Sequence, residues 1–235
     1  MELAEIQGNR TWQYAAYLLL FLVALTLTAI LLPSSVEHFR RFYGGTNAIL
    51  VTVLAAVAGG LALWGMEANY DFVIFGGRAT LRGMALSAVL ATVLAVAIII
   101  ADFIIRYPED LNVPVPQALL FYPAIGFVAE LLFHIVPLAI LLLLLSPLSG
   151  SFGKERVIWL AILLVAALEP TFQVLFEGEP LTWGDAYTWI HVFAIAFLQL
   201  YVFRRFDFVS MYAFRLFYYA YWHILWGALR LEVLF

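Results

Sequence analysis

The sequence contains no cysteine and a single lysine, Lys154. Without thiols there is no disulfide, no iron–sulfur cluster and no thiolate chemistry, and cysteine usage gives no clue to the redox compartment. Charge of either sign is scarce: 12 Lys and Arg stand against 16 Asp and Glu, a net charge of −4, and only 12% of residues are charged. That leaves no basic face for nucleic acid. Lys154 falls in a loop, so a retinal Schiff base inside the protein is excluded as well. No fixed-period repeat, low-complexity stretch or linker is visible.

What the chain has in abundance is apolar surface. Hydrophobic residues make up 65% of its 235 positions and the mean hydropathy is +0.98, far from the roughly half-apolar, quarter-charged composition of water-soluble domains. The expected fold class is all-α: one polytopic helical membrane domain over 1–235, with the lipid bilayer as its first partner. Apolar runs bounded by Gly, Pro and charge place about seven spans, roughly at 12–33, 46–66, 82–105, 116–146, 156–176, 185–203 and 209–229. The N-terminus carries acidic Glu2 and Glu5, only Arg10 before the first run, and no small-residue cleavage site, so that run reads as a retained span. Pro123 and Pro137 predict kinks in the long fourth run. Gly59-Gly60 suits close helix packing. The connection from Glu67 to Leu81 is expected at the membrane interface.

Taken over alternate loops, Arg10, Arg78, Arg82, Lys154, Arg156, Arg204 and Arg205 fall on the N-terminal side, against Arg40, Arg41, Arg106 and Arg230 on the other. This favours a cytoplasmic N-terminus. The acidic loop from Glu177 to Asp185 then faces outward. Asp102 is expected to pair with Arg106 at i,i+4 or to snorkel, and Arg215, early in the last run, to snorkel.

Glu130, His134, Glu169, His191 and His223 have no such escape. Counted from the nearest turns at 1.5 Å per residue, Glu130 and Glu169 are level across one turn, Glu169 and His191 across the next, and His191 and His223 across the last. His134 lies one turn from Glu130. Ionisable groups inside a membrane read as a functional site by default; the alternative is neutral side chains hydrogen-bonded between helices. Pro170 and Pro137 adjoin the set and free the carbonyls of Ala166 and Phe133. Glu130, Glu169, His191 and His223 are the candidate catalytic residues, with His134 supporting. They could serve as general base and electrophilic partners, or as oxygen and nitrogen ligands for a divalent metal. A Ser–His pair and H-E-x-x-H are absent.

The run Ala129-Glu130-Leu131-Leu132-Phe133-His134, the helix ending Val165-Ala166-Ala167-Leu168-Glu169, then His191, then Tyr221 to Gly227, resembles the intramembrane protease family of CAAX prenyl endopeptidases and bacteriocin-processing (CPBP) proteins. The resemblance covers roughly 116–230. That family carries E-E-x-x-x-R, F-x-x-x-H on the next span and H-x-x-x-N two spans later, and activates water against a peptide bond. Glu130 matches the second glutamate and His223 the last histidine. Ala129, His134, Val165, Glu169 and Gly227 stand at the remaining signature positions. In a second register, Leu168 to Gln173 forms the first motif, with Gln173 at the arginine position and Tyr187 to His191 as the second motif.

Three readings follow. The first is a divergent intramembrane endopeptidase acting on a membrane-embedded peptide, with Glu130 as base, Glu169 and His191 as ligands or proton partners, and His223 as electrophile. The second is a catalytically inactive relative serving as a membrane subunit or scaffold of a larger complex. The third is a haem protein using two of His134, His191 and His223. A transporter finds no inverted repeat in its favour.

Overall fold

The computed structural model describes residues 10–175 and 182–235, and every regular element among them is helical. The acidic N-terminal residues Glu2 and Glu5, and positions 177–181 of the acidic loop, lie outside the described residues. Six helices are long and apolar enough to cross a membrane: α1 (Arg10–Tyr43), α2 (Ala48–Tyr70), α3 (Arg78–Ile105), α4 (Ala118–Phe152), α5 (Lys154–Val174) and α6 (Trp183–Arg205). The last run, α7, is continuous as Phe208–Tyr219, Ala220–Trp226 and Gly227–Val233. Large apolar side chains such as Leu61, Val93, Ile104 and Leu143 are exposed around the outside, which in a chain of this composition is the surface that lipid covers.

Several boundaries move for identifiable reasons. α1 runs past Pro33 to Tyr43, kinked at Ser35 (φ −137°, ψ 27°); the proline bends this helix without ending it. α2 starts where the Asn47 side chain accepts from the Ile49 and Leu50 N–H groups, at 2.9 and 3.2 Å, and stops at Asp71 in the left-handed conformation. The connection that follows packs back onto the bundle. Phe72 and Ile74 insert into the core, Ile74 N–H donates to Gln13 (2.9 Å), and the Phe208 and Val209 N–H groups donate to Val73 and Ile74 carbonyls.

Two glycines in α2 set its neighbours. A Cβ on Gly59 would collide with the Leu131 side chain of α4, and one on Gly60 would meet the Tyr17 ring of α1 at 3.3 Å, so both helices approach α2 more closely than larger residues permit. α4 does not stay α-helical. Residues Glu130–Ile135 form a π turn in which Val136 N–H reaches Leu131 O. Pro137, with no N–H to offer Phe133, follows immediately, and the wider turn re-pairs the ladder around that missing donor. α5 breaks at Ala167, just before Glu169-Pro170.

The first half of α7 is buried on nearly every face: Phe208, Ser210, Met211, Tyr212, Ala213, Phe214 and Arg215 are all interior. It packs most extensively against α3 and also touches α4 and α6. A helix enclosed in this way has no route to water for its side chains. Arg215 is 3% exposed and does not snorkel.

Asp102 is likewise not paired with Arg106. α3 ends at Ile105 and Arg106 adopts the left-handed conformation, so the two share no helical face. Asp102 instead accepts from Arg230 Nε (2.7 Å) and Nη2 (2.8 Å), Trp226 Nε1 (2.7 Å) and the Tyr107 N–H (3.0 Å). This fully buried pair ties the ends of α3 and α7.

Candidate functional site

The π turn puts Glu130 and His134 on one inward face of α4, with His134 Nδ1 and Glu130 Oε2 2.7 Å apart. Glu130 Oε1 accepts from Gln199 Nε2 of α6 and from Arg215 Nε of α7. The break in α5 turns Glu169 to the same point. There its carboxylate receives both ends of the Arg215 fork, Nη1 to Oε1 at 3.0 Å and Nη2 to Oε2 at 2.8 Å. Arg215 Nη1 also donates to the Tyr219 hydroxyl (3.0 Å), one turn along α7. A single guanidinium thus joins carboxylates from two helices. Glu130 and His134 are fully buried and Glu169 is 6% exposed. Removing such charges from water costs several kcal/mol per ion, of order, unless each is closely paired; here the fork geometry supplies that pairing.

One polar atom at the centre is left over. His134 Nε2 has no hydrogen-bond partner among the described residues and lies 3.5 Å from Glu169 Oε2, beyond hydrogen-bond range.

The other predicted residues lie to the side of this knot. His191 Nε2 is hydrogen-bonded to Tyr218 (3.1 Å), and its ring stacks on Tyr187 at 5.8 Å. His223 falls in a second π turn, Ala220–Trp226, where its Nδ1 meets Asn112 Oδ1 at 2.6 Å and its ring stacks on Tyr122 at 4.6 Å. The Tyr219 ring, 4.9 Å from that of His223, is the bridge between His223 and Arg215. Gln173 is exposed on α5. The structure therefore brings Glu130, His134 and Glu169 together and places His191 and His223 with tyrosine and asparagine partners outside them. Among the described residues no three His, Asp or Glu side chains form a cation-holding set. The oxygens of both glutamates are engaged by Arg215 and Gln199 or face His134.

Three members of the network are not among the candidate site residues read from the sequence: Arg215, Gln199 and Tyr219. A signal for the first was present. Two carboxylates at one membrane depth call for a counter-cation, and Arg215 is the cation set deepest within any predicted span. Gln199 and Tyr219 carry no such mark among the aromatic and amide residues near them.

These features define an integral, multi-pass, all-α membrane protein with a buried ion-paired centre. No family model, curated protein or solved structure matches the chain.

Proposed function

We propose that the chain is a non-catalytic membrane protein, a subunit or scaffold of a larger complex, whose sequence pattern resembles that of the CPBP proteases. The observation that supports this reading is the Arg215 fork, bonded to Glu130 and to both oxygens of Glu169. Water activation needs a carboxylate free to take a proton, whereas here each glutamate is held by a guanidinium that stays charged throughout the accessible pH range. The family pattern H-x-x-x-N is also met differently at this centre. The i,i+4 pair facing the glutamates is Arg215 and Tyr219, while His223 sits two turns further along α7, against Asn112.

One observation favours the endopeptidase reading: the unpaired His134 Nε2 next to Glu169 is a free nitrogen of the kind a proton-transfer step uses. Co-purification from native membranes in mild detergent, followed by mass measurement of the intact assembly, tests the proposal. A partner protein at fixed stoichiometry is expected. A chain that leaves the membrane alone contradicts the subunit reading.

A further inference from the structure

One end of the bundle, formed by the α2–α3, α4–α5 and α6–α7 connections, holds most of the arginines. Some have acidic partners: Lys154 pairs with Asp71 at 3.1 Å, Arg204 with Glu155 at 2.8 Å, and Arg10 with Glu67 at 3.1 Å. Arg78, Arg82 and Arg205 are exposed and make no ion pair among the described residues.

These three arginines stand around one corner. Residues 76–83 are clamped to residues 206–210: Thr80 Oγ1 donates to Asp207 Oδ2 (2.5 Å), Gly76 N–H donates to the same oxygen (3.2 Å), and Ser210 Oγ donates to Thr80 O (3.2 Å). Gly83 lies so close to Phe206 and Ser210 that a Cβ would overlap both. Arg82 and Arg205 flank that contact in sequence, and Arg78 lies one turn before Arg82 on α3. The carboxylate at the corner, Asp207, is fully buried and offers no countercharge at the surface. Burial pushes its carboxyl above the usual range, against the hydrogen bonds from Thr80, Ser210 and Gly76. Beyond the corner, α3 turns a row of exposed apolar side chains outward: Leu81, Val89, Val93, Val96, Ile100 and Ile104.

A cationic corner above an apolar helix face is complementary to a lipid with an anionic head and two hydrocarbon tails. We infer that Arg78, Arg82 and Arg205 bind the headgroup of an anionic phospholipid whose chains lie along the outer face of α3. The arginines supply charge-assisted donors to phosphate, and the leaflet that carries such lipids attracts basic residues next to a span. This site shares no residue with the buried centre and goes beyond the reading given above.

The test uses the full chain in nanodiscs made from equal parts phosphatidylglycerol and phosphatidylcholine of matched chains, with retained lipid read by native mass spectrometry. Phosphatidylglycerol is expected to be enriched. The enrichment should fall about five-fold for each arginine replaced in Arg78→Gln, Arg82→Gln and Arg205→Gln, and persist in Arg40→Gln/Arg41→Gln at the opposite end. The single variants carry the test if the triple variant does not fold. Equal retention of the two lipids by the wild type overturns the inference, as does an enrichment that all the corner variants preserve. Inorganic phosphate added to lipid-free protein separates a lipid from a soluble anion. No change in melting temperature is expected with phosphate, and a rise as large as that given by phosphatidylglycerol would assign the corner to a soluble anion and overturn the lipid.

Discussion

Two carboxylates held inside a bilayer need a cation, and at the residue scale the protein meets that need with one arginine between two helices. The glutamates could be found by depth alone, because rise per residue is constant along a helix and the turns beside them are visible in the sequence. Depth does not give direction. His191 and His223 are side by side with the glutamates in the count from the turns, yet each faces a tyrosine or asparagine partner; facing depends on helix rotation, which shifts by about 100° per residue and is altered by every π turn. Arg215 does not snorkel because its helix is enclosed, a tertiary fact that its own sequence does not carry. Its pairing makes a quantitative prediction. Arg215→Met should lower stability by about 3–5 kcal/mol, because it leaves two buried carboxylates uncompensated. Adding Glu169→Gln should recover part of that loss, giving a coupling of about 2 kcal/mol or more in a double-mutant cycle measured by reversible unfolding. Additivity within about 0.5 kcal/mol would show that the two side chains are independent.

At the scale of elements, long apolar runs and the residues that bound them are enough to place the helices, and the Gly59-Gly60 step marks where α2 is approached closely. The π turns in α4 and α7 are not legible, since hydrophobic periodicity over six or seven residues does not distinguish them from α-helix. Pro137 announces a disturbance without saying whether the helix will kink, break or widen. The glycines give the sharper test. Gly59→Ala drives a Cβ into Leu131, next to Glu130 on the π turn, and should destabilise the protein by about 1–3 kcal/mol. Gly65→Ala, in the same helix with open space around it, should instead stabilise by up to about 1 kcal/mol, since alanine is the better helix former. Thermal unfolding in one detergent reads both. Equal effects would mean that the α2–α4 contact is looser than the structure has it.

At the scale of the whole molecule, the natural absence of cysteine allows the orientation of the bundle to be read directly. Single cysteines at exposed Ser151 and Glu109 sit at opposite ends. With the arginine-rich end in the cytoplasm, as charge asymmetry favours, an impermeant maleimide added to intact cells should label Glu109→Cys and leave Ser151→Cys unmodified until the membrane is opened. The reverse pattern would invert the topology. The centre of the bundle is an ion-paired knot, and cleavage tests whether Glu130 within it activates water. Wild type and Glu130→Gln, reconstituted in liposomes, are given a library of membrane-delivered peptides, and the products are read by mass spectrometry. With both glutamates held by Arg215, no cleavage that depends on Glu130 is expected. Cleavage by the wild type that Glu130→Gln reduces by about 10² to 10⁴-fold, the range expected for loss of a general base, would contradict it.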